Sequence, residues 1–204
     1  MSDRTEIKDD PKDDPKDDRK ISSKTKRYHE YKKNTELREY HKSLRTILTT
    51  TRFNNATWKE NKMYRDLHDL SKGCIYGTPE QLSAKIVEKD RPIIVLEMNN
   101  DSNKIMGIGL IRGQVHIKKH HIYSNEDYNR YAYIGKYRID REDMSKEEDE
   151  TMKVFDQLCF KGNRHQKRLK GIKSFPVDLL YQHSKTVDLV DFVSKTLKRH
   201  LEKI

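Results

Sequence analysis

The densest chemistry in the chain lies in residues 161–176, KGNRHQKRLKGIKSFP, where six cations stand without an acid between Gln157 and Val177. Guanidinium and ammonium groups held together without carboxylates suit phosphate oxygens, and Gly162 and Gly171 leave the backbone free to approach them. Arg164, His165, Lys167, Arg168, Lys170 and Lys173 are therefore the candidate phosphate-binding residues. A solvated charged loop is the alternative. A second group surrounds the single tryptophan, Trp58, with Asn54, Asn55, Glu60 and Asn61 beside it. An indole next to side-chain amides can stack a base and read its edge. The plainer reading is a core or rim aromatic.

Two further sets bear on catalysis and metals. His165 among cations, with Glu97 or Glu60 as carboxylate partner, could act as a general acid or base on nucleic acid. No recognised catalytic signature, paired metal-binding carboxylates or Gly-rich nucleotide loop accompanies it, so binding is favoured over catalysis. His116 and His120 share a face of an extended segment and could hold a metal, but no cysteine or carboxylate lies near in sequence. Surface histidines are the simpler reading, and neither a metal nor another cofactor is expected.

The bulk numbers agree with a polyanion partner. Formal net charge is +10 over 204 residues, and the first twenty carry six basic and eight acidic side chains, so the remainder is more basic still. Nucleic acid is the expected partner, RNA before DNA, and no membrane. Apolar residues make up 33% and charged residues 37%, a balance that would suggest disorder if even, yet the apolar ones gather in 75–111 and after Met152. Two cysteines, Cys74 and Cys159, are too few for a disulfide framework and point to a reducing, intracellular setting. No secretory signal or membrane-length apolar run is present.

The elements that must position these groups centre on residues 91–115, RPIIVLEMNNDSNKIMGIGLIRGQV. Two apolar runs, Ile93 to Met98 and Ile105 to Ile111, flank an Asn-rich turn and predict a β-hairpin, with Gly107 and Gly109 marking a bulge or a close approach. Alternation leaves Glu97 either at a wet strand end or in a pocket. Before the hairpin, the repeat KDDPKDDPKDDRK over 8–20 predicts an extended tail, and residues up to 33 a basic arm. Leu37, Tyr40, Leu44, Ile47 and Leu48 then predict an amphipathic helix. A short helix with Met63, Leu67 and Leu70 on one face follows, and Thr78, Pro79 and Gln81 predict a capped helix through about Val87. After the hairpin come a strand around Tyr131 to Ile139 and a helix opened by the Ser145–Glu148 capping box, ending near Gly162. Last is an amphipathic helix with Val190, Val193, Leu197, Leu201 and Ile204 on its seam, which could be structural or take a protein partner.

In this order the segments from Gly73 to Ile139 resemble the PUA-like superfamily, and within it YTH and EVE domains. GCIYGTP followed by Leu82 is similar to a YTH segment of glycine, hydrophobic residue, tryptophan and Thr-Pro turn, and RPIIVLEMNNDSNKIMGIGLI to the next strand pair. The resemblance implies a small mixed β-barrel; with the helices and charge runs read above, the expected fold is α+β, a PUA-like barrel flanked by helices, with a disordered charged tail and basic arm over 1–33 and one domain over 34–204. It also implies a pocket for one extruded, often modified, base. Where YTH domains carry a cage tryptophan this chain has Ile75 or Tyr76, and Tyr76 is the position carried over. The expected base-binding set is thus Trp58, Tyr76, Glu97, Asn99 and Asn100. FNNATWKEN, LEMNN, IMGIGLI, RYAYIGKYRI and KGNRHQKR also resemble proteins of large cytoplasmic DNA viruses, which implies the cytoplasm or viral factory of an infected cell. A nucleic-acid-processing enzyme and a viral adaptor or structural protein are the alternatives to a base-binding protein.

Overall fold

The computed structural model describes residues 15–87 and 90–202. The backbone divides into two units, Met1–Lys42 and Ser43–Ile204, each described by itself. The first is dominated by helix α1, Pro15–Ser43, which opens on a proline, the residue whose missing N–H is harmless in a first helical turn. Residues 15–20, expected to be extended, are helical, and so is the basic arm, with Tyr28 and Tyr31 exposed on it. Residues 8–14 of the acidic repeat lie outside the described residues.

The second unit is a mixed sheet with helices. The predicted helix does not continue through Ile47 and Leu48, because the β-branched run that follows makes them the start of strand β1, Ile47–Phe53. Helix α2, Asn55–Leu67, strand β2, Cys74–Thr78, and the short helix α3, Ala84–Val87, lead to the hairpin of β3, Ile93–Asn99, and β4, Lys104–Ile111. Strands β5, Tyr131–Gly135, and β6, Tyr137–Asp140, precede helix α4, Lys146–Phe160. A two-residue strand β7, Lys173–Ser174, and helices α5, Val177–Ser184, and α6, Leu189–Leu201, complete the chain.

The main sheet has the order β6-β4-β3-β1-β7, with β1 parallel to β3 and the other pairings antiparallel. Strands β2 and β5 form a separate antiparallel ribbon. The fold is α+β, but the sheets do not close into the expected barrel. The single aromatic strand expected over 131–139 is two, because the chain steps from ribbon to sheet after Gly135. A Cβ on Gly135 would collide with the Leu110 carbonyl, so only glycine lets the ribbon lie this close. Tyr131 and Tyr133 keep the same side of β5, with Tyr133 buried, while Tyr137 belongs to β6 and is exposed.

Three other expectations change for local reasons. Thr78 ends β2, and its hydroxyl turns back on Glu80, donating to the carbonyl (2.9 Å) and accepting from the N–H (3.3 Å), so it caps a turn rather than a helix. Helix α2 buries Asn61 and Arg65 and exposes Met63 and Leu67, because Asn61 donates to the Ile75 carbonyl and Tyr123 hydroxyl and accepts from Arg65, while Trp58 and Tyr64 make the apolar contact with the core. The α6 seam of Leu189, Val190, Val193 and Leu197 is buried within the domain, and Glu148, at the start of α4, binds Arg199 (2.9 Å) and His200 (3.2 Å) near its end. That seam is therefore not open to a partner; Ile204 lies outside the described residues. The hairpin and the Ser145–Glu148 capping box form as expected.

At the centre of the sheet Glu97 is wholly buried and held bidentately by Arg138, with Nη2 to Oε2 at 2.7 Å and Nε to Oε1 at 2.9 Å. The Tyr76 hydroxyl donates to Oε1 at 2.7 Å, and Arg138 also pairs with Asp140 at 2.7 Å. A Cβ on Gly109 would strike that hydroxyl, which explains the glycine in β4. Burial pushes the Tyr76 phenol far above its ordinary range, so it stays a donor to Glu97. Both cysteines are free, and burial raises each thiol to about 12, which leaves them unreactive. Arg138→Met would leave the Glu97 carboxylate buried without its cation. The expected loss is about 3–5 kcal/mol by urea unfolding, largely recovered in the double change with Glu97→Met. A loss below about 1 kcal/mol would show that the pair does not hold the sheet.

Candidate functional site

The end of β1 runs into the tightest local signal in the unit. Asn54 caps α2: its Oδ1 accepts from the Thr57 N–H at 2.8 Å, while the Thr57 hydroxyl accepts from the Asn54 N–H at 3.0 Å. The first turn of α2 forms one wall of a cleft of about 510 Å³. The opposite wall is the basic segment Lys167–Gly171, and the ends are closed by Asn100 and by residues 123–125 with Tyr128.

Two of the segments at the cleft are held by polar side chains. Arg52 on β1 donates from Nε to the Gln166 carbonyl (2.7 Å) and from Nη1 to the Gly171 carbonyl (3.1 Å), gripping both ends of the four residues between. Burial lowers its pKa to about 10, which still leaves it charged at neutral pH. Gly171 has φ +64°, a left-handed conformation for which glycine is suited. On the other side Asn129 accepts from the N–H groups of Ile122 and Tyr123, both at 3.0 Å, and Asn61 donates to the Tyr123 hydroxyl at 3.1 Å. Tyr123 then meets Tyr128 edge-to-face at 6.3 Å. The turn after β3 supplies Asn100, whose Nδ2 donates to the Lys167 carbonyl at 3.1 Å. Its Oδ1 is shielded and has no protein donor among the described residues.

Of the residues expected from sequence to contact a base, Asn100 alone lines this cleft. Tyr76 and Glu97 are consumed by the central network and closed to a base. Asn99 is buried and caps the turn, accepting from Asp101 N–H (3.0 Å) and donating to Asn55 Oδ1 (3.0 Å). Trp58 packs edge-to-face on Phe53 at 5.2 Å with the guanidinium groups of Arg138 (5.4 Å) and Arg65 (5.9 Å) over its ring, so cations occupy its stacking surface. Tyr128 is the partly exposed aromatic of the cleft instead.

The phosphate set also divides. Lys167, Arg168 and Lys170 line the cleft, and Arg168 and Lys170 are exposed, with no direct ion pair among the described residues. Arg164 is held bidentately by Asp178, and Lys173 by Glu80 at 2.8 Å. His165 is half-buried and does not line the cleft, whereas Glu60 does, accepting from the Ser124 N–H at 3.2 Å. The acid–base pair of His165 with Glu60 or Glu97 is thus not assembled there. No sequence signal pointed to Arg52, whose partners lie more than a hundred residues away, or to Asn129, which bonds backbone six and seven residues before it; Asn61, read from sequence as an amide beside Trp58, instead reaches Tyr123, and the Asn54–Thr57 cap was readable from spacing.

The histidines secure the loop that leads to residues 123–125. His120 takes the Tyr64 hydroxyl on Nδ1 (2.8 Å) and faces His116 Nδ1 with Nε2 (2.7 Å), and His68 stacks on Tyr64 at 3.9 Å. His116 and His120 are therefore engaged with each other, and no group of three metal-ligating residues occurs among the described residues. Burial first, then the charges of His116, His68 and Lys118, lower the His120 pKa below 6.5. No helix among the described residues is long and apolar enough to cross a membrane. No family model, curated protein or solved structure matches the chain.

Two tests address this framework. Arg52→Lys offers one point charge where a fork spans two carbonyls, so trypsin should cut after Lys167 or Arg168 several-fold faster than in the parent, with Tm little changed. For His120 the depressed pKa means the unfolded chain takes up the proton first. Its contribution is complete above pH 6.5 and is lost as pH falls toward the lowered value. Urea midpoints should drop from pH 7.5 to 5.5, and His120→Gln should shrink that drop.

Proposed function

We propose that this protein binds single-stranded or locally opened nucleic acid, with one base in the cleft between α2 and the segment 167–171. The observation that carries this reading is the placement of Arg168 and Lys170, exposed and in no direct ion pair among the described residues, on the same cleft as the N-terminal turn of α2. Two exposed cations and the positive end of a helix give a field for phosphate, and Lys167 adds a third positive charge. Tyr128 offers a ring for a base, and Asn54, Asn100 and Asn125 offer amides for its edge. RNA remains the preferred ligand.

The PUA-like relationship is part of the same proposal. Its support is the strand, helix, strand and hairpin order, with the cleft where β1 gives way to α2, read without barrel closure. An aromatic cage built on Tyr76 is not part of it.

Fluorescence anisotropy of the full chain with short single-stranded RNA and DNA tests the site. Arg168→Ala with Lys170→Ala should weaken binding and reduce the salt slope by about 1.4, roughly 0.7 for each phosphate no longer neutralised. Tyr128→Ala should cost about 1–3 kcal/mol of affinity while Tyr128→Phe keeps it. Unchanged affinity and slope in the double variant would reject the cleft as the phosphate site.

A further inference from the structure

A second cleft, of about 560 Å³, opens on the other side of Lys167, which lines both. The turn after β3 fixes this residue from two directions. Asn100 binds its carbonyl, and Asn103 Oδ1 accepts from its ammonium at 2.8 Å. Asn103 has φ +53°, a left-handed turn position that asparagine tolerates. Lys167 Nζ is thus a positioned cation on the ridge between two cavities, with further N–H groups beyond the one given to Asn103.

The far cleft has the lining of a nucleotide subsite. Lys161 is exposed and in no direct ion pair among the described residues, and Lys153 is exposed on the facing turn of α4. Phe160 lies at its floor and Gln157 on its wall. Its acid, Asp156, is held by Arg141, which it shares with Asp149: Nη1 lies 2.9 Å from Oδ2 and 3.0 Å from Oδ1, and Oδ1 also accepts from the Ile105 N–H at 2.7 Å. Lys153 leans on Glu150 and Asp149, pairs on an exposed helix face that exchange readily with solvent. The charge facing this space is therefore positive.

We infer that the ligand is an oligonucleotide strand rather than a free nucleotide. A phosphodiester crosses Lys167, and the neighbouring nucleotide enters the cleft of Lys153, Lys161 and Gln157. This rests on the binding reading above and adds a length requirement that the first cleft alone does not impose. The chemistry is that of a polyanion track, in which affinity grows with each phosphate neutralised and falls with salt.

The test compares a labelled single-stranded oligonucleotide, displaced either by its unlabelled form or by a 5′-mononucleotide, on the full-length protein. The strand should bind at least about tenfold more tightly than the mononucleotide, since it brings more phosphates to the cations. Lys153→Ala with Lys161→Ala should remove most of that advantage and lower the strand's salt slope by about 1.4. It should leave mononucleotide displacement unchanged, and Lys153→Arg with Lys161→Arg should retain strand binding. Equal affinity for strand and mononucleotide, or a strand affinity and slope indifferent to Lys153 and Lys161, would overturn the second subsite. The first cleft would survive that result if Arg168→Ala with Lys170→Ala still weakened both ligands. Absence of any strand binding by the parent protein would remove both.

Discussion

The buried ion pair of Glu97 with Arg138 is the constraint on which the rest of the domain depends. A carboxylate without any solvent contact, in the middle of the central hairpin, is tolerable only because a bidentate guanidinium and a phenol satisfy it. The three partners come from β3, β6 and β2, so one interaction joins the open sheet to the separate ribbon across which no backbone ladder runs. The same geometry requires Gly109 to stand opposite Tyr76 and brings Arg138 over Trp58. Side-chain electrostatics here takes the part that strand closure would play in a barrel.

That use of polar residues removes the obvious ligand-contacting groups from circulation. Tyr76, Glu97 and Trp58 have the right chemistry for a base but are committed to the interior, and the accessible cleft is built from what surrounds them. Beside the first turn of α2 its lining is loop, held by polar side chains: half-buried Arg52 at the basic segment, buried Asn129 and Asn61 at residues 122–123. On the proposed reading, such a cleft combines irregular backbone, able to aim donors, with attachment points that limit its motion.

Charge is distributed by the same logic. The formal excess of +10 says little about which cations are available. Arg164 and Lys173 are neutralised by Asp178 and Glu80, Arg141 by Asp149 and Asp156, and Arg52 is spent on carbonyls. Those remaining at the clefts are Lys161, Lys167, Arg168 and Lys170, grouped around one ridge. For the proposed polyanion ligand, long-range attraction would come from the net basic charge and positional preference from these few.

By itself the sequence determined the hairpin, the Ser145–Glu148 cap, the basicity of the segment after α4 and the α+β class, because each depends on near neighbours: alternation, turn residues, capping spacing and local charge. It also drew attention to Asn100 and to Lys167, Arg168 and Lys170. Tertiary structure alone decided that Ile47 and Leu48 begin a parallel strand, that the tyrosine strand splits at Gly135, and that Tyr76 and Glu97 face each other. Those outcomes turn on partners 21 to 61 residues apart, Tyr76 with Glu97, Ile47 with Ile93 and Cys74 with Gly135. No local pattern encodes such distances. Whether a polar residue is a ligand or a strut depends on the desolvated partner it meets, and that partner is chosen by the fold.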